Sequence, residues 1–183
     1  MEINKLSIEG LITFIPKKFV DNRGYFFESF NQQVFNEAVG RKIIFVQDNE
    51  SMSSENVLRG LHFQIPPYAQ GKLVRVAHGS VLDIAVDLRQ NSPTYGQWHA
   101  EFISAENRKM FWIPEGFAHG FVALENNTQF LYKCTNYYHP YSERTIIWND
   151  NDLNIDWQIK NPLISEKDAQ GIKWKDFISP YEL

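Results

Sequence analysis

Cysteine is nearly missing from this sequence: Cys134 is the only one in 183 residues. That excludes an intramolecular disulfide and any multi-cysteine zinc site. Long apolar runs are missing too, and no stretch approaches the ~20 residues that a membrane-spanning helix requires. The start, Met1-Glu2-Ile3-Asn4-Lys5, lacks the basic segment and apolar run of a signal peptide. The expectation is a reduced, cytoplasmic protein. Positive charge is in deficit, with 18 Lys and Arg against 22 Asp and Glu and a net charge of −4. A nucleic-acid binder usually carries a basic face, so that class is disfavoured. An anionic small molecule needs only a few local Arg and Lys and is not excluded. No His-x-His pair occurs, and two isolated imidazoles make a poor metal site. No bound metal is expected.

Aromatic residues, in contrast, make up 15% of the chain. They suit sheets and a stacking pocket better than a helical bundle. The length fits one ordinary domain, long enough to bury roughly two-thirds of its extended-chain surface. No repeat, low-complexity segment or linker interrupts it, so residues 1–183 are read as a single domain. Short β-rich runs recur between turn signals: Leu11–Ile15, Tyr25–Phe30, Lys72–Ala77, Val81–Leu88, Trp98–Ile103, Met110–Ile113, Gly120–Leu124, Gln129–Thr135 and Thr145–Trp148. Asn22-Arg23-Gly24, Asn91-Ser92-Pro93, Pro114-Glu115-Gly116 and Asn126-Asn127 punctuate them. Many closely spaced strands without intervening helices predict an all-β sandwich or jelly roll rather than a parallel α/β sheet. Only short peripheral helices are expected. One is capped by Asn31, places Val34, Phe35 and Ala38 on one face, and ends at Gly40. The other starts at Ser165-Glu166-Lys167-Asp168, which matches a capping box.

Chemistry-bearing residues cluster in a few segments. His62 lies in Leu58-Arg59-Gly60-Leu61-His62-Phe63-Gln64 and His119 in Pro114-Glu115-Gly116-Phe117-Ala118-His119-Gly120. Strict alternation puts Leu58, Gly60 and His62 on one face and Arg59 and Leu61 on the other, unless a bulge at Gly60 shifts them. Taken alone, each histidine reads first as a satisfied or surface polar residue. Arg23, Arg59, Lys72 and Arg75 would suit a phosphate or diphosphate if they faced one pocket. Alternation places Phe130, Tyr132 and Cys134 together on one face, where the Tyr132 hydroxyl becomes a candidate proton donor.

Together these segments resemble the dTDP-4-dehydrorhamnose 3,5-epimerase family. The resemblance runs in order through Asp21-Asn22-Arg23-Gly24-Tyr25-Phe26-Phe27-Glu28, Gln47-Asp48-Asn49, Leu58–Gln64, Gln70–Val76, Pro114–Phe121, Leu131–Thr135 and Ser165–Asp168. Phe63 departs from the Tyr that relatives often carry. The resemblance implies a cupin-like jelly-roll subunit (a double-stranded β-helix) and a homodimer with exchanged N-terminal segments. It implies a dTDP-linked 4-keto-6-deoxyglucose substrate inverted at C3 and C5 on the way to dTDP-L-rhamnose, with no metal or organic cofactor. It also implies roles. His62 resembles the general base, Asp168 its carboxylate partner, Tyr132 the acid on the opposite face, and Lys72 the clamp on the enolate oxygen. Arg23, Glu28, Gln47, Asn49, Arg59, His119, Glu143 and Lys167 resemble nucleotide-sugar contacts, and Tyr138 the aromatic that stacks on thymine. Asp168 keeps a second reading as the capping-box carboxylate. Two further functions stay open: a related nucleotide-deoxysugar 3- or 5-epimerase or ketoisomerase, and a non-catalytic carbohydrate-binding jelly roll. The last would need no inward His, Tyr and Lys together.

Overall fold

The computed structural model describes residues 1–182. In chain order the strands are β1 (Glu2–Lys5), β2 (Ile12–Ile15), β3 (Lys18–Asp21), β4 (Gly24–Phe27), β5 (Gln47–Ser53), β6 (Leu58–Gln64), β7 (Lys72–His78), β8 (Ser80–Asp87), β9 (Trp98–Ser104), β10 (Met110–Ile113), β11 (Phe117–Ala123), β12 (Thr128–Cys134) and β13 (Glu143–Thr145). Helix α1 (Gln32–Val39) follows β4, and α2 (Glu166–Ala169) lies near the C-terminus. Two antiparallel sheets stack as a jelly roll. One has the order β1-β2-β10-β7-β12-β5 and the other β13-β6-β11-β8-β9, while β3 and β4 pair only with each other.

The alternation of side chains explains the layering. On β8 every residue is buried. Val81 and Ala85 face the space between the sheets with Val74, Phe111, Phe121 and Phe130. Leu82, Ile84 and Val86 point the other way and are covered by Leu153, Trp157 and Tyr181 from the C-terminal segment. A strand covered on both faces has no polar face to show, so it reads as a continuous apolar run. Asp83 interrupts that run on the inner face.

The predicted helix at 31–40 forms with the expected ends. The Asn31 side chain accepts from the backbone N–H groups of Gln33 and Val34, and Gly40 closes the helix at φ 80°. Phe35 sits under it against Phe14 and Trp112 on the outer face of the six-stranded sheet. Three of the expected strands differ. The run Gly120–Leu124 starts three residues earlier and spans Phe117–Ala123. The run Tyr25–Phe30 leaves the extended form after Phe27 because Ser29–Asn31 must turn into α1. The run Thr145–Trp148 gives a strand at Glu143–Thr145, after which only Ile146 bridges, to Ile172. No helix is long and apolar enough to cross a membrane, among the described residues.

Candidate active site

Strands β6 and β11 approach unusually closely at a pair of glycines. Gly60 has φ +128°, and a Cβ there would lie 2.5 Å from Gly120 Cα and 2.8 Å from the His119 carbonyl oxygen. The register shifts at this point: His62 pairs with His119, but Arg59 pairs with Phe121. One extra residue on β6 therefore forms a bulge. Its effect is to bring Arg59 and His62 to the same cavity, while Leu61 and Phe63 pack outward. Simple alternation assigned them opposite faces, and the bulge overrides it.

The cavity lies between the sheets and has a volume of about 510 Å³. The five-stranded sheet contributes Arg59, His62 and His119, and the six-stranded sheet contributes Lys72, Phe130 and Tyr132. Lys167 and Asp168 close one side from α2.

His62 Nε2 lies 2.5 Å from Asp168 Oδ1. Asp168 is buried, and its second oxygen accepts the Gly60 N–H at 3.4 Å. Burial pushes this carboxyl up, but the hydrogen bond and charge of His62, with the Gly60 amide, outweigh it and hold it below the usual carboxylate range. Asp168 takes the capping position with its backbone, while its carboxylate goes to His62 and Gly60 rather than back to Ser165. Its backbone N–H donates to Ser165 Oγ at 3.1 Å and caps α2, which leaves the carboxylate free for His62.

Tyr132 stands on β12 with Phe130 and Cys134 on the inner face, as alternation requires. Leu131 and Lys133 face outward, where Lys133 pairs with Asp48 at 3.0 Å. Burial pushes the Tyr132 phenol up, and nearby Cys134 and Glu143 add to it. The hydroxyl therefore stays protonated, as a proton donor must be. Burial pushes the recessed Lys72 ammonium down, against the opposing pull of Cys134, Glu143 and Asp83. His119 Nε2 contacts both oxygens of Asp83, at 3.0 and 2.9 Å. Burial lowers this imidazole and raises this carboxyl, so both are driven toward their neutral forms.

At the rim, Arg59 is tied to Ser53 Oγ and the Met52 carbonyl, and Lys167 forms an ion pair with Glu143. Tyr138 is half-exposed and donates its hydroxyl to Glu143 at 2.8 Å. A set of glutamines holds its loop. Gln47 Oε1 accepts the Tyr138 N–H, Gln64 binds the Tyr137 carbonyl and the His139 N–H, and Gln70 binds the Asn136 carbonyl. Gln47 also donates to Asn49, whose amide reaches Cys134. Gln47 and Asn49 line a smaller recess that shares His62, Lys72 and Tyr132.

Within one protomer, Arg23 and Glu28 lie apart from the cavity. Arg23 sits in the exposed β3–β4 hairpin, paired with Asp21 at 2.5 Å, and Glu28 is exposed just beyond it. Neither lines the cavity, because that hairpin pairs only with itself. Arg75 also misses the cavity and faces the outer side of the six-stranded sheet. Sequence reasoning overlooked Asp83, Gln64 and Gln70. An acid inside the apolar run Val81–Val86 was the available signal for Asp83. Among the described residues, no group of three His, Cys, Asp or Glu gathers to hold a metal ion.

Comparison with known proteins agrees with this architecture. The family model for dTDP-4-dehydrorhamnose 3,5-epimerase matches residues 5–176. The chain is 54% identical to the dTDP-4-dehydrorhamnose 3,5-epimerase of Shigella flexneri, over 96% of this chain and 97% of that one. It is 55% identical to the enzyme of the same name from Pseudomonas aeruginosa, over 96% and 97%. A crystal structure of dTDP-6-deoxy-D-glucose-3,5-epimerase from Legionella pneumophila, in complex with dTDP-4-keto-L-rhamnose, superposes with a TM-score of 0.94 at 44% identity and covers 100% of both chains. On this footing the chain belongs to the dTDP-4-dehydrorhamnose 3,5-epimerase family.

Proposed function

We propose that this protein is a dTDP-4-dehydrorhamnose 3,5-epimerase that inverts C3 and C5 of dTDP-4-dehydro-6-deoxy-D-glucose. One observation carries the reading: His62 on one sheet, paired with Asp168 from α2, and the Tyr132 hydroxyl on the other sheet line the same cavity. C3 and C5 both flank the C4 ketone, so their protons become acidic once the enolate is stabilised. His62 removes the proton, with Asp168 fixing its tautomer and balancing the imidazolium. Lys72 holds the enolate oxygen. Tyr132 returns a proton from the opposite side, which is what inversion demands. Arg59 and Lys167 meet the diphosphate, Tyr138 stacks on thymine, and His119, Glu143, Gln47 and Asn49 contact or frame the sugar. No metal or organic cofactor takes part.

The active form on this reading is a homodimer of single-domain subunits. Phe19, Val20, Tyr25 and Phe26 on the β3–β4 hairpin are all more than half exposed. The register pairs Phe19 with Phe26 on one face and Val20 with Tyr25 on the other, and a hairpin exposing apolar side chains on both faces suits a protein surface. Laid on a second copy, the hairpin would carry Arg23 and Glu28 to the partner's cavity. A cytoplasmic location goes with a soluble nucleotide-linked substrate.

The test is turnover in D₂O followed by NMR. Double inversion puts deuterium at both C3 and C5. A label at one carbon would mark a single-site epimerase, and none would leave only a binding protein.

A further inference from the structure

From His62 the five-stranded sheet carries a row of further ionisable side chains, of which Asp83 and His119 are buried, that proton abstraction itself does not use. His62 on β6 faces its cross-strand partner His119 on β11. His119 meets Asp83 on β8 at 2.9 Å. Asp83 is in turn the cross-strand partner of Glu101 on β9, the edge of the sheet. Glu101 contacts His99 at 3.0 Å and Lys109 at 2.5 Å, and the His99 side chain is 23% exposed. Each of these neighbouring strands thus supplies a member, from the base at one end to solvent at the other. Their neighbours on the same inner face are Val81, Ala85, Ile103, Phe117 and Phe121. Apolar residues would fill these positions at lower cost, because buried ionisable groups are expensive even when paired.

The chemistry supplies a use for the row. Each inversion leaves a proton on His62 and takes one from Tyr132. Inverting a second carbon requires both groups to be reset while the sugar still covers the cavity. We infer that His62, His119, Asp83, Glu101 and His99 form a path that carries the abstracted proton from the base to the edge of the sheet. The inference rests on the reading of His62 as the base. His62 releases its proton to the free ring nitrogen of His119, which passes its Nε2 proton to Asp83. Asp83 hands a proton to Glu101, Glu101 to His99, and His99 to water. Every group returns to its starting charge, and no redox partner is involved. The Tyr132 phenolate regains its proton separately, from water at the mouth.

The charged groups bearing on Asp83 are Lys72 from β7, His119 from β11 and Glu101 from β9. Burial pushes Asp83 up and His119 down, so the pair rests neutral, and a proton taken up by His119 is matched by one leaving Asp83 in the same event, which leaves no charge stranded between the sheets. Burial also pushes Glu101 up, but His99 and Lys109 more than offset it, so the outer end of the row is the anionic one.

The test compares Glu101→Gln and His99→Ala with wild type, neither change touching the cavity lining. Both should lower kcat at least ~10-fold, less than the ~10²-fold or more expected of a group that touches the reacting carbon. KM and the melting temperature should stay near wild type, and added imidazole should restore His99→Ala. Wild-type kcat in both variants overturns the path. So does a loss that follows the melting temperature and that imidazole leaves in place. A wild-type protein that inverts nothing overturns the epimerase reading, and this inference with it.

Discussion

At the scale of single residues, His62 and Asp168 carry the most specific expectations. If His62 is the base, His62→Asn, which keeps similar bulk, should lower kcat by about 10²-fold or more with the fold intact. Asp168→Asn should act in the same direction but more mildly. Its melting temperature should hold, because the cap on α2 uses the Asp168 backbone N–H rather than its carboxylate. A loss of stability with unchanged kcat would return Asp168 to a purely structural role. Tyr138 bears on binding. If it stacks on the base, Tyr138→Ala should weaken binding by roughly 1–3 kcal/mol, the usual scale for such contacts, and should act on KM rather than kcat. Titration of KM and kcat for the variant checks this. Residue identities were legible in the sequence where alternation was regular, as for Tyr132 and Cys134. They were not legible for Asp83 or the loop-holding glutamines. Those partners are far apart in the chain, as Gln64 is from Tyr137 and His139, and only the fold brings them together.

At the scale of elements, the bulge at Gly60 is the device that turns Arg59 and His62 into one cavity. Gly60→Ala would place a Cβ 2.5 Å from Gly120 Cα at a φ of +128°. Either strand must then move, and both stability and kcat should drop together, read by thermal melting beside turnover. A second element-level expectation concerns the end of β8. Asp87 is buried and holds the following loop through Arg89, Ser92 and Thr94. Burial pushes its carboxyl up, but these donors outweigh it and hold it below the ordinary value. The stability it contributes is therefore complete above the unfolded value near ~3.9 and is lost as pH falls through the lower folded value. Asp87→Asn should cost about 3 kcal/mol at neutral pH. Its melting temperature should then fall less steeply than that of wild type below pH ~4. Helix α1 and strands such as β10 were legible because their caps and periodicity are local. Strand β5, Gln-Asp-Asn-Glu-Ser-Met-Ser, was not. Its residues are mostly polar because it is an edge strand paired only to β12, so it lacks the apolar signature of a central strand.

At the scale of the whole molecule, the exposed hairpin bears on assembly. If Arg23 serves the partner's cavity, Arg23→Ala and His62→Asn proteins should complement each other. A mixed dimer would hold a cavity with its own His62 and an Arg23 supplied from the other subunit. Activity rising after the two variants are mixed and re-equilibrated supports exchange, and activity equal to the average of the separate variants contradicts it. The sandwich itself makes the central claim, because its two sheets set His62 and Tyr132, the proposed base and acid, on opposing walls of one cavity. Tyr132→Phe keeps the ring and deletes the only proton the residue can donate. The direct measurement is NMR of the sugar after incubating this variant in D₂O beside His62→Asn. The Tyr132→Phe protein should still form the enolate, so deuterium should enter recovered substrate of unchanged configuration while doubly inverted product nearly disappears. His62→Asn should suppress exchange and inversion alike. Wild-type double inversion by Tyr132→Phe would contradict the account, because the acid would then be another group.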